Sequence, residues 1–204
     1  MVQVSIILLT YNRKELTEHV RDNIKKAGYK IDEIIWIDNG STDGVDLSDI
    51  ADISVRYKEN TGVAKGYNTG FRLARGKYIV IPGTDMFLPK DWLLKMIKFD
   101  DCNKIKAENG TMSYKKEALD KYGYYREDLG LYGRNEEEHN HRIGNIKSTK
   151  LEGALHLGTE GRLEYDGKED KNYWEFKRDE TNGKEKLAML KEMIDKKEYY
   201  NPYG

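Results

Sequence analysis

One aspartate, Asp85, stands where it could hold a cation or a substrate hydroxyl. It follows the apolar run 77–81 and lies in the turn Pro82-Gly83-Thr84-Asp85. In an open α/β sheet, ligands bind beyond the carboxyl ends of the strands, so a carboxylate delivered there has an evident chemical use. The same residues allow a structural alternative, in which Asp85 caps a helix that begins near Lys90 or closes an Asx-turn.

Two further apolar runs also end in polar residues. The run 4–9 is followed by Thr10-Tyr11-Asn12-Arg13, and the run 31–37 is followed by the polar segment Asp38 to Asp43. The carboxyl ends of parallel strands lie at one edge of a sheet. We therefore expect these two segments and Asp85 to converge on one ligand site.

Some of these polar residues also have local explanations. Asn12, with Glu15 three residues later, has the pattern of a helix capping box. The glycine-containing stretch Asn60 to Gly70 could approach a phosphate at a helix start. It does not fit a phosphate-binding loop, because five residues rather than four separate Gly70 from Gly76-Lys77 and Tyr78 replaces the metal-binding hydroxyl. By itself this stretch predicts a helix that packs tightly on the sheet.

The elements that must position these residues alternate between strand and helix. Strands are expected at 4–9, 31–37, 53–57 and 77–81, with helices between them at 16–27 and 62–74. This alternation predicts right-handed crossovers and an α/β fold, a single Rossmann-like domain whose mainly parallel central sheet is flanked by helices. Later in the chain we expect helices at 92–99, 135–143 and 184–197, and one or two short strands within 146–156.

Composition narrows the class of protein. The 204 residues include 35 basic and 36 acidic side chains, for a net charge of -1, so no basic excess points to a nucleic-acid partner. Cys102 is the one cysteine and cannot form an internal disulfide, which suits a reducing, cytoplasmic location. The apolar start, residues 1–9, is too short to cross a bilayer, and no other stretch could do so. Any membrane contact is therefore expected to be peripheral.

Three consecutive acids, Glu136-Glu137-Glu138, open one of the predicted helices. A carboxylate can act as a general base, but acids in a first helical turn also suit the helix dipole, and Asn135 with Glu138 has the capping-box pattern. We assign Glu138 to structure and leave Glu136 and Glu137 as competing catalytic candidates. His139 and His141 lie two residues apart, on different helix faces, and are expected to be packing or surface residues.

Taken together, these segments resemble the family-two glycosyltransferases of the GT-A fold. Val4 to Arg13 looks like the family's opening, and Ile35 to Asp43 resembles its second strand and nucleotide loop. The segments 60–70 and 74–78 match the approach to its metal motif, and the likeness covers roughly residues 2 to 157. It implies a GT-A catalytic domain at 1–157, followed at 158–204 by a charged C-terminal extension with one amphipathic helix.

The resemblance assigns roles to residues by position. Thr10, Asn12 and Asp38 would contact the nucleotide, and Asn68 would border the sugar diphosphate. Asp85 matches the last acid of the family's metal-binding Asp-x-Asp motif, and Gly83 and Thr84 complete that cofactor-binding turn.

A metal ion, Mn²⁺ or Mg²⁺, is implied by the same motif. Gly83 stands where the first acid usually is, so the diphosphate and water would supply most of the oxygen ligands that a hard cation favours, with Asp85 as the principal protein ligand. His156, in Leu155-His156-Leu157, fits a histidine that some members place on the metal. Its alternative is a histidine that only packs in the core.

The family's catalytic base is matched through Arg142. In that alignment Glu136 takes the place of the aspartate that deprotonates the acceptor hydroxyl, and Glu137 is its competitor. The resemblance implies an inverting transferase that moves a sugar from a nucleotide-diphosphate sugar, expected to be a UDP-sugar. The acceptor is open among a glycan, a lipid-linked sugar, a protein and a modified nucleic-acid base, and a homo-oligomer is equally open.

Two other classes of protein are carried as alternatives. The absent first acid at Gly83 would suit a sugar-nucleotide-binding protein without catalytic activity. A sugar nucleotidyltransferase of related fold ranks last. It would need a Gly-rich loop with Arg and Lys directly after the first strand, which Thr10-Tyr11-Asn12-Arg13 does not provide.

Overall fold

A computed structural model describes residues 3–108, 110–129, 134–156 and 180–198. Its strands are β1 (Val4–Thr10), β2 (Glu33–Asp38), β3 (Ile53–Arg56), β4 (Tyr78–Ile81), β5 (Met86–Phe87), β6 (Lys104–Ala107), β7 (Met112–Lys115), β8 (Ile146–Thr149) and β9 (Leu155–His156). Its helices are α1 (Lys14–Lys25), α2 (Val63–Leu73), α3 (Trp92–Met96), α4 (Lys116–Tyr122), α5 (Arg134–Ile143) and α6 (Glu180–Asp195), with a 3₁₀ turn at Glu127–Leu129.

The main sheet has seven strands in the order β3-β2-β1-β4-β7-β6-β8. The pairs β1–β2, β1–β4, β2–β3 and β6–β8 are parallel, whereas β7 runs antiparallel to both β4 and β6. This confirms the predicted α/β fold with a mainly parallel sheet flanked by helices. The sequence did not predict β6 and β7: β7 runs opposite to the other strands of this sheet, and β6 and β8 beyond it add a second half to the sheet.

The register of the first half aligns the strand ends. In the parallel β1–β2 pair, Thr10 lies opposite Asp38, so both strands end at the same level. On the other side of β1, Ile6 lies opposite Val80, and β4 ends one residue later. The predicted convergence of the three strand ends at one sheet edge is therefore confirmed.

Both faces of the sheet are buried. On one face Ile6 and Leu8 pack with Val20 of α1 and Trp92 of α3. On the other face Ile7 packs with residues of α2, α4 and α5, among them Phe71, Leu119 and Ile143. Burial on both sides explains why β1 and β2 are almost continuously apolar in sequence. Within the described part of the chain, each helix is too short or too polar to span a bilayer.

Helix α2 packs closely on β1 because two of its turns carry glycine. A Cβ added at Gly70 would lie 2.6 Å from Cγ2 of the buried Ile7, and one added at Gly66 would lie 2.5 Å from Cδ1 of Leu9. Side chains there would force the helix away from the sheet. The expectation of tight helix–sheet packing in this stretch is thus confirmed.

We predict that Gly70→Ala destabilises the protein and that Gly66→Ala does so less. Alanine favours helix by about 1 kcal/mol over glycine. At Gly70 the new methyl meets a stiff, β-branched and fully buried Ile7, so overpacking of roughly 1–3 kcal/mol outweighs that gain. At Gly66 it meets the end of a partly exposed leucine, which can rotate away. Chemical denaturation of both variants measures the difference, and equal or reversed losses would contradict this packing.

Candidate functional site

The loops after β1 and β2 are joined by hydrogen bonds of Asn12. Its backbone N donates to Oγ of Ser41 at 2.8 Å, and its Oδ1 accepts from the backbone N of Thr42 at 2.9 Å. Asn12 and Arg13 both have positive φ angles, of 55° and 61°. The predicted capping box is therefore wrong. The N-cap residue of α1 is Arg13, which makes no side-chain cap bond, and the Asn12 side chain binds the other loop instead of the helix. Such backbone strain persists only where surrounding contacts hold it.

Thr10 and Asp38 form the buried floor of this edge. Thr10 Oγ1 accepts a hydrogen bond from Nε1 of Trp36 at 2.9 Å. Asp38 accepts from the backbone N of Ser41 at 3.0 Å through one carboxylate oxygen and from Nε of Arg56 at 2.5 Å through the other. Carboxylate oxygens can accept further bonds, so these contacts orient the group without using all its capacity.

Tyr11 follows Thr10 in the chain, and the sequence analysis named it in this segment without assigning it a role. Its side chain is 39% exposed at the end of β1, although the flanking Thr10 is buried. An exposed ring beside a polar edge can stack on a flat ligand group. The signal was present in the sequence as an aromatic residue directly after a buried strand.

Asp85 is held near the same edge by the turn that follows β4. Its neighbour Thr84 donates from Oγ1 to the backbone O of Leu9 at 3.1 Å, which ties the turn to β1. Asp85 is partly buried. It does not cap the next helix, because α3 begins at Trp92 with Asp91 in the N-cap position. The helix-cap alternative is therefore wrong, and the Asx-turn stays a prediction.

Gly83 is required by the packing of the turn. A Cβ at Gly83 would lie 2.6 Å from Cγ of Met86, which is buried, and 3.1 Å from Oδ1 of Asp85. A larger residue could fit only if Met86 moved. The absent first acid therefore has a physical cause in this chain.

Asp85 is a single carboxylate, so it could supply only part of the oxygen ligands that a hard cation needs. No group of three or more His, Cys, Asp or Glu residues is placed to hold a metal ion in the part of the chain that the structure describes. In the β5–β9 pair the backbone of His156 lies opposite Met86, the residue after Asp85. One carboxylate of this kind suits Mg²⁺ or Mn²⁺ bound largely through diphosphate oxygens and water.

Asn68 connects α2 to the segment that precedes α5. It is buried, its Nδ2 donates to the backbone O of Tyr125 and to Oε1 of Glu127, both at 2.9 Å, and its Oδ1 accepts from the backbone N of Tyr125 at 2.9 Å. These bonds fix where the chain runs before α5. This contact could not be predicted from a local pattern, because the two residues are 57 positions apart in the sequence.

Tyr67 relates Asp85 to Glu136. Burial raises the pKa of the Tyr67 phenol, and the negative charges of Asp85 and Glu136 raise it further. Both acids therefore lie within electrostatic reach of one side chain. Tyr67 is thus influenced both by the predicted metal ligand, in the turn after β4, and by the predicted base, on α5.

The three acids of α5 have different surroundings. Glu138 is buried and binds Arg142, with Oε1 accepting from Nε at 2.8 Å and Oε2 from Nη2 at 3.0 Å. Arg142 also donates to the backbone O of Tyr124 at 2.6 Å. The structural assignment of Glu138 is confirmed. The capping box is wrong, because Asn135 lies inside α5 and donates from Nδ2 to the backbone O of Arg126.

Glu137 and Glu136 differ in position and in partner. Glu137 is 57% exposed and pairs with Lys191 of α6, whereas Glu136 is 29% exposed and pairs with two lysines of β6. Burial alone would raise the pKa of the Glu136 carboxyl, but Lys104 and Lys106 outweigh it and hold that pKa below its usual range. Of the two catalytic candidates, Glu136 is therefore the more buried one, and its lowered pKa keeps it ionised.

His139 and His141 are confirmed as packing and surface residues. His139 is buried, its Nε2 lies 3.0 Å from the backbone O of Gly123, and burial lowers its pKa well below the usual range. His141 is exposed and its Nε2 lies 2.9 Å from Oδ1 of Asp195 in α6. Cys102 is buried and its thiol is free.

We predict unequal stability losses for Glu138→Gln and Glu137→Gln. Glu138→Gln leaves the buried Arg142 guanidinium without its counter-charge, which costs about 3–5 kcal/mol. Glu137→Gln breaks an exposed pair and costs under about 1 kcal/mol. Urea denaturation of both variants at neutral pH compares them, and a small loss for Glu138→Gln would refute its structural role.

Comparisons with known proteins agree with this geometry. The model of the family described as "Glycosyl transferase family 2" matches residues 5–152. YfnE of Bacillus subtilis (strain 168), an uncharacterized glycosyltransferase, is 35% identical over 105 residues, which make up 48% of this chain and 26% of that protein. The chain thus spans about a quarter of the length of this relative.

Solved structures share the fold. A mannosyltransferase from Pyrobaculum calidifontis, in complex with GDP-Man and Mn²⁺, superimposes with a TM-score of 0.61 at 22% identity and covers 72% of this chain and 55% of its own. Glucosyl-3-phosphoglycerate synthase from Mycobacterium tuberculosis, with Mn²⁺, UDP and its product, gives 0.58 at 17% identity, over 81% of this chain and 77% of its own. The family match over most of the chain, with this shared architecture, shows that the chain belongs to glycosyltransferase family 2 and has the GT-A fold.

Proposed function

We propose that this chain is an inverting glycosyltransferase that moves a sugar from a nucleotide-diphosphate sugar, a UDP-sugar, to an acceptor hydroxyl. The observation that carries the proposal is the common sheet edge at which β1, β2 and β4 end, where Thr84 ties the Asp85 turn to β1. The charges of Asp85 and Glu136, which both raise the pKa of Tyr67, agree with it. One acid lies in the turn after β4 and the other on α5. A transferase of this kind needs a diphosphate-binding end and a base at the acceptor end.

The nucleotide would bind along the ends of β1 and β2. Tyr11 offers an exposed ring for stacking on the base. Asn12 and Asp38 offer oxygen acceptors beside it, in loops that hydrogen bonds already hold in place. Thr10 supports this surface from below through its bond with Trp36. A preformed surface of this kind loses little conformational freedom on binding.

The diphosphate would lie over the turn Gly83-Thr84-Asp85, near the buried Asn68 of α2. Asp85, with His156 on the neighbouring strand, would hold Mn²⁺ or Mg²⁺. When bound, the cation offsets the negative charge that develops on the departing diphosphate.

Glu136 would act as the general base. Its carboxylate removes the proton from the acceptor hydroxyl as that oxygen attacks the anomeric carbon, and the bond to the diphosphate breaks on the opposite side. The lowered pKa of Glu136 keeps it ionised in the neutral range. Glu137 is a weaker candidate, because its carboxylate is more exposed and is bound to Lys191.

We predict that Glu136→Gln abolishes sugar transfer but leaves nucleotide binding unchanged. The amide keeps the shape of the side chain but cannot accept the proton, and loss of a general base costs about 100- to 10,000-fold in rate. Product formation and UDP affinity are measured on the same preparation. Glu137→Gln is expected to retain transfer, and its loss together with an active Glu136→Gln would move the base to Glu137.

We predict that Asp85→Asn weakens the metal-dependent part of UDP binding. The amide oxygen is a poorer ligand for a hard cation than a carboxylate. Calorimetric titration of UDP with and without Mn²⁺ measures the metal-dependent difference, which should shrink in Asp85→Asn. An undiminished difference would reject Asp85 as a ligand.

A screen of nucleotide sugars for donor hydrolysis, with and without Mn²⁺, tests the proposed activity itself. Release of UDP from one donor supports a transferase. Binding of nucleotide sugars without hydrolysis or transfer would favour the inactive binding protein, and formation of a nucleotide sugar from a sugar phosphate and UTP would favour the nucleotidyltransferase.

A further inference from the structure

Two lysines of β6 converge on one oxygen of Glu136. Lys104 and Lys106 are two residues apart and therefore lie on the same face of the strand. Lys106 Nζ lies 2.8 Å from Glu136 Oε1, and Lys104 Nζ lies 3.2 Å from the same atom. Glu136 is on α5, about 30 residues further along the chain. The arrangement is tertiary and could not be seen in a local motif.

The burial of the Lys104 ammonium group costs desolvation free energy. Its side chain is fully buried, and burial lowers its pKa to about 8. Lysine is almost never fully buried unless it is paired. Nζ also donates to Oδ1 of Asn140 at 2.6 Å and lies 5.0 Å from the ring centre of Tyr114. These contacts fix the direction of the ammonium group toward Glu136.

The two oxygens of Glu136 are consequently unequal. Both lysine bonds fall on Oε1, and in the part of the chain that the structure describes no hydrogen bond falls on Oε2. The side chain keeps 29% exposure. One carboxylate oxygen is thus held by the protein, and the other is available to a substrate hydroxyl.

We propose that Lys104 and Lys106 are positioning residues for the catalytic base, which hold Glu136 by Oε1 and thereby direct an ionised Oε2 at the acceptor hydroxyl. This inference rests on the proposed function, because it assumes that Glu136 is the base. A single surface ion pair would not achieve the same, because a carboxylate with one exposed partner rotates freely and its pair contributes little. Two donors on one oxygen fix both the rotation and the charge of the group.

The tyrosines and the histidine near Glu136 stay neutral over the pH range in which Glu136 titrates. Its charge raises the pKa values of Tyr67, Tyr114 and Tyr125, so these phenols stay neutral in the working range. His139, on the same helix, is kept neutral by burial. Of these groups, only Lys104 and Lys106 oppose the protonation of Glu136. The acid limb of the rate profile should therefore report the lysine pair.

The test uses Lys106→Met in the full chain. Lys106 is 40% exposed, so the loss of its charge should leave the fold intact. Without it the pKa of Glu136 rises, and the acid limb of kcat/KM should move to higher pH by roughly half a unit to one unit. We expect kcat to fall about 10-fold, since the carboxylate is less well oriented, while KM for the donor stays the same. Lys106→Arg should restore most of the rate.

Lys147→Met is the matched control. Lys147 lies on the adjacent strand β8, is 38% exposed and pairs with one carboxylate, Asp100, at 2.6 Å. Its loss should leave the acid limb in place. Lys104→Met, an apolar side chain of similar length at a buried position, should shift the limb in the same direction as Lys106→Met.

The outcomes separate this inference from the proposed function. If Glu136→Gln is inactive but Lys106→Met and Lys104→Met keep the wild-type acid limb and kcat, the lysines do not position the base and the inference is overturned. An equal shift in Lys147→Met would overturn it too. If Glu136→Gln keeps full transfer activity, the base assignment itself fails, whatever the lysine variants do.

Discussion

The parallel pairing of β1 between β2 and β4 is the constraint on which the rest of the site depends. It sets Thr10 opposite Asp38 and brings the end of β4 to the same edge. The turn that carries Asp85 is then tied back to β1 by the bond from Thr84 to Leu9. Because side chains alternate between faces along a strand, a shift of one residue in this register would exchange the buried and exposed sets. The apolar contacts on both faces of β1 exclude such a shift.

A second set of contacts positions α5, the helix that carries Glu136. β7 pairs antiparallel with both β4 and β6 and so joins the two halves of the sheet. Glu136 of α5 binds lysines of β6, in the second half. The segment before α5 is held at two neighbouring residues. Asn68 of α2 donates to the backbone O of Tyr125, and Arg142, which is paired with Glu138, donates to the backbone O of Tyr124. These buried bonds hold the start of α5 relative to α2. The direction of Glu136 is therefore set by groups that lie far from it in sequence.

The sequence predicted the first half of the sheet well, and it also predicted α3, α5, α6 and the short strands β8 and β9, but it missed β6, β7 and α4. β1, β2 and β4 are apolar runs that end in polar residues, because strands buried on both faces need apolar side chains along their whole length. β6 is four residues long and contains a buried lysine, whose partner Glu136 comes 32 residues later, so no local pattern marks it. Asn12 and Asn135 both match a capping box, but tertiary hydrogen bonds use their side chains instead. The structural role of Glu138 is confirmed, whereas Glu136 and Glu137 stay catalytic candidates that differ in exposure and in their lysine partners.

The central claim is that one carboxylate, Glu136, activates the attacking oxygen for a direct displacement. A single in-line displacement inverts the configuration at the anomeric carbon. Proton NMR of the sugar first released from an α-linked nucleotide sugar, recorded before mutarotation, measures this configuration with water as the acceptor. We expect the β anomer to appear first from the wild type, and we expect Glu136→Gln to release no sugar. An α anomer released first would contradict the mechanism.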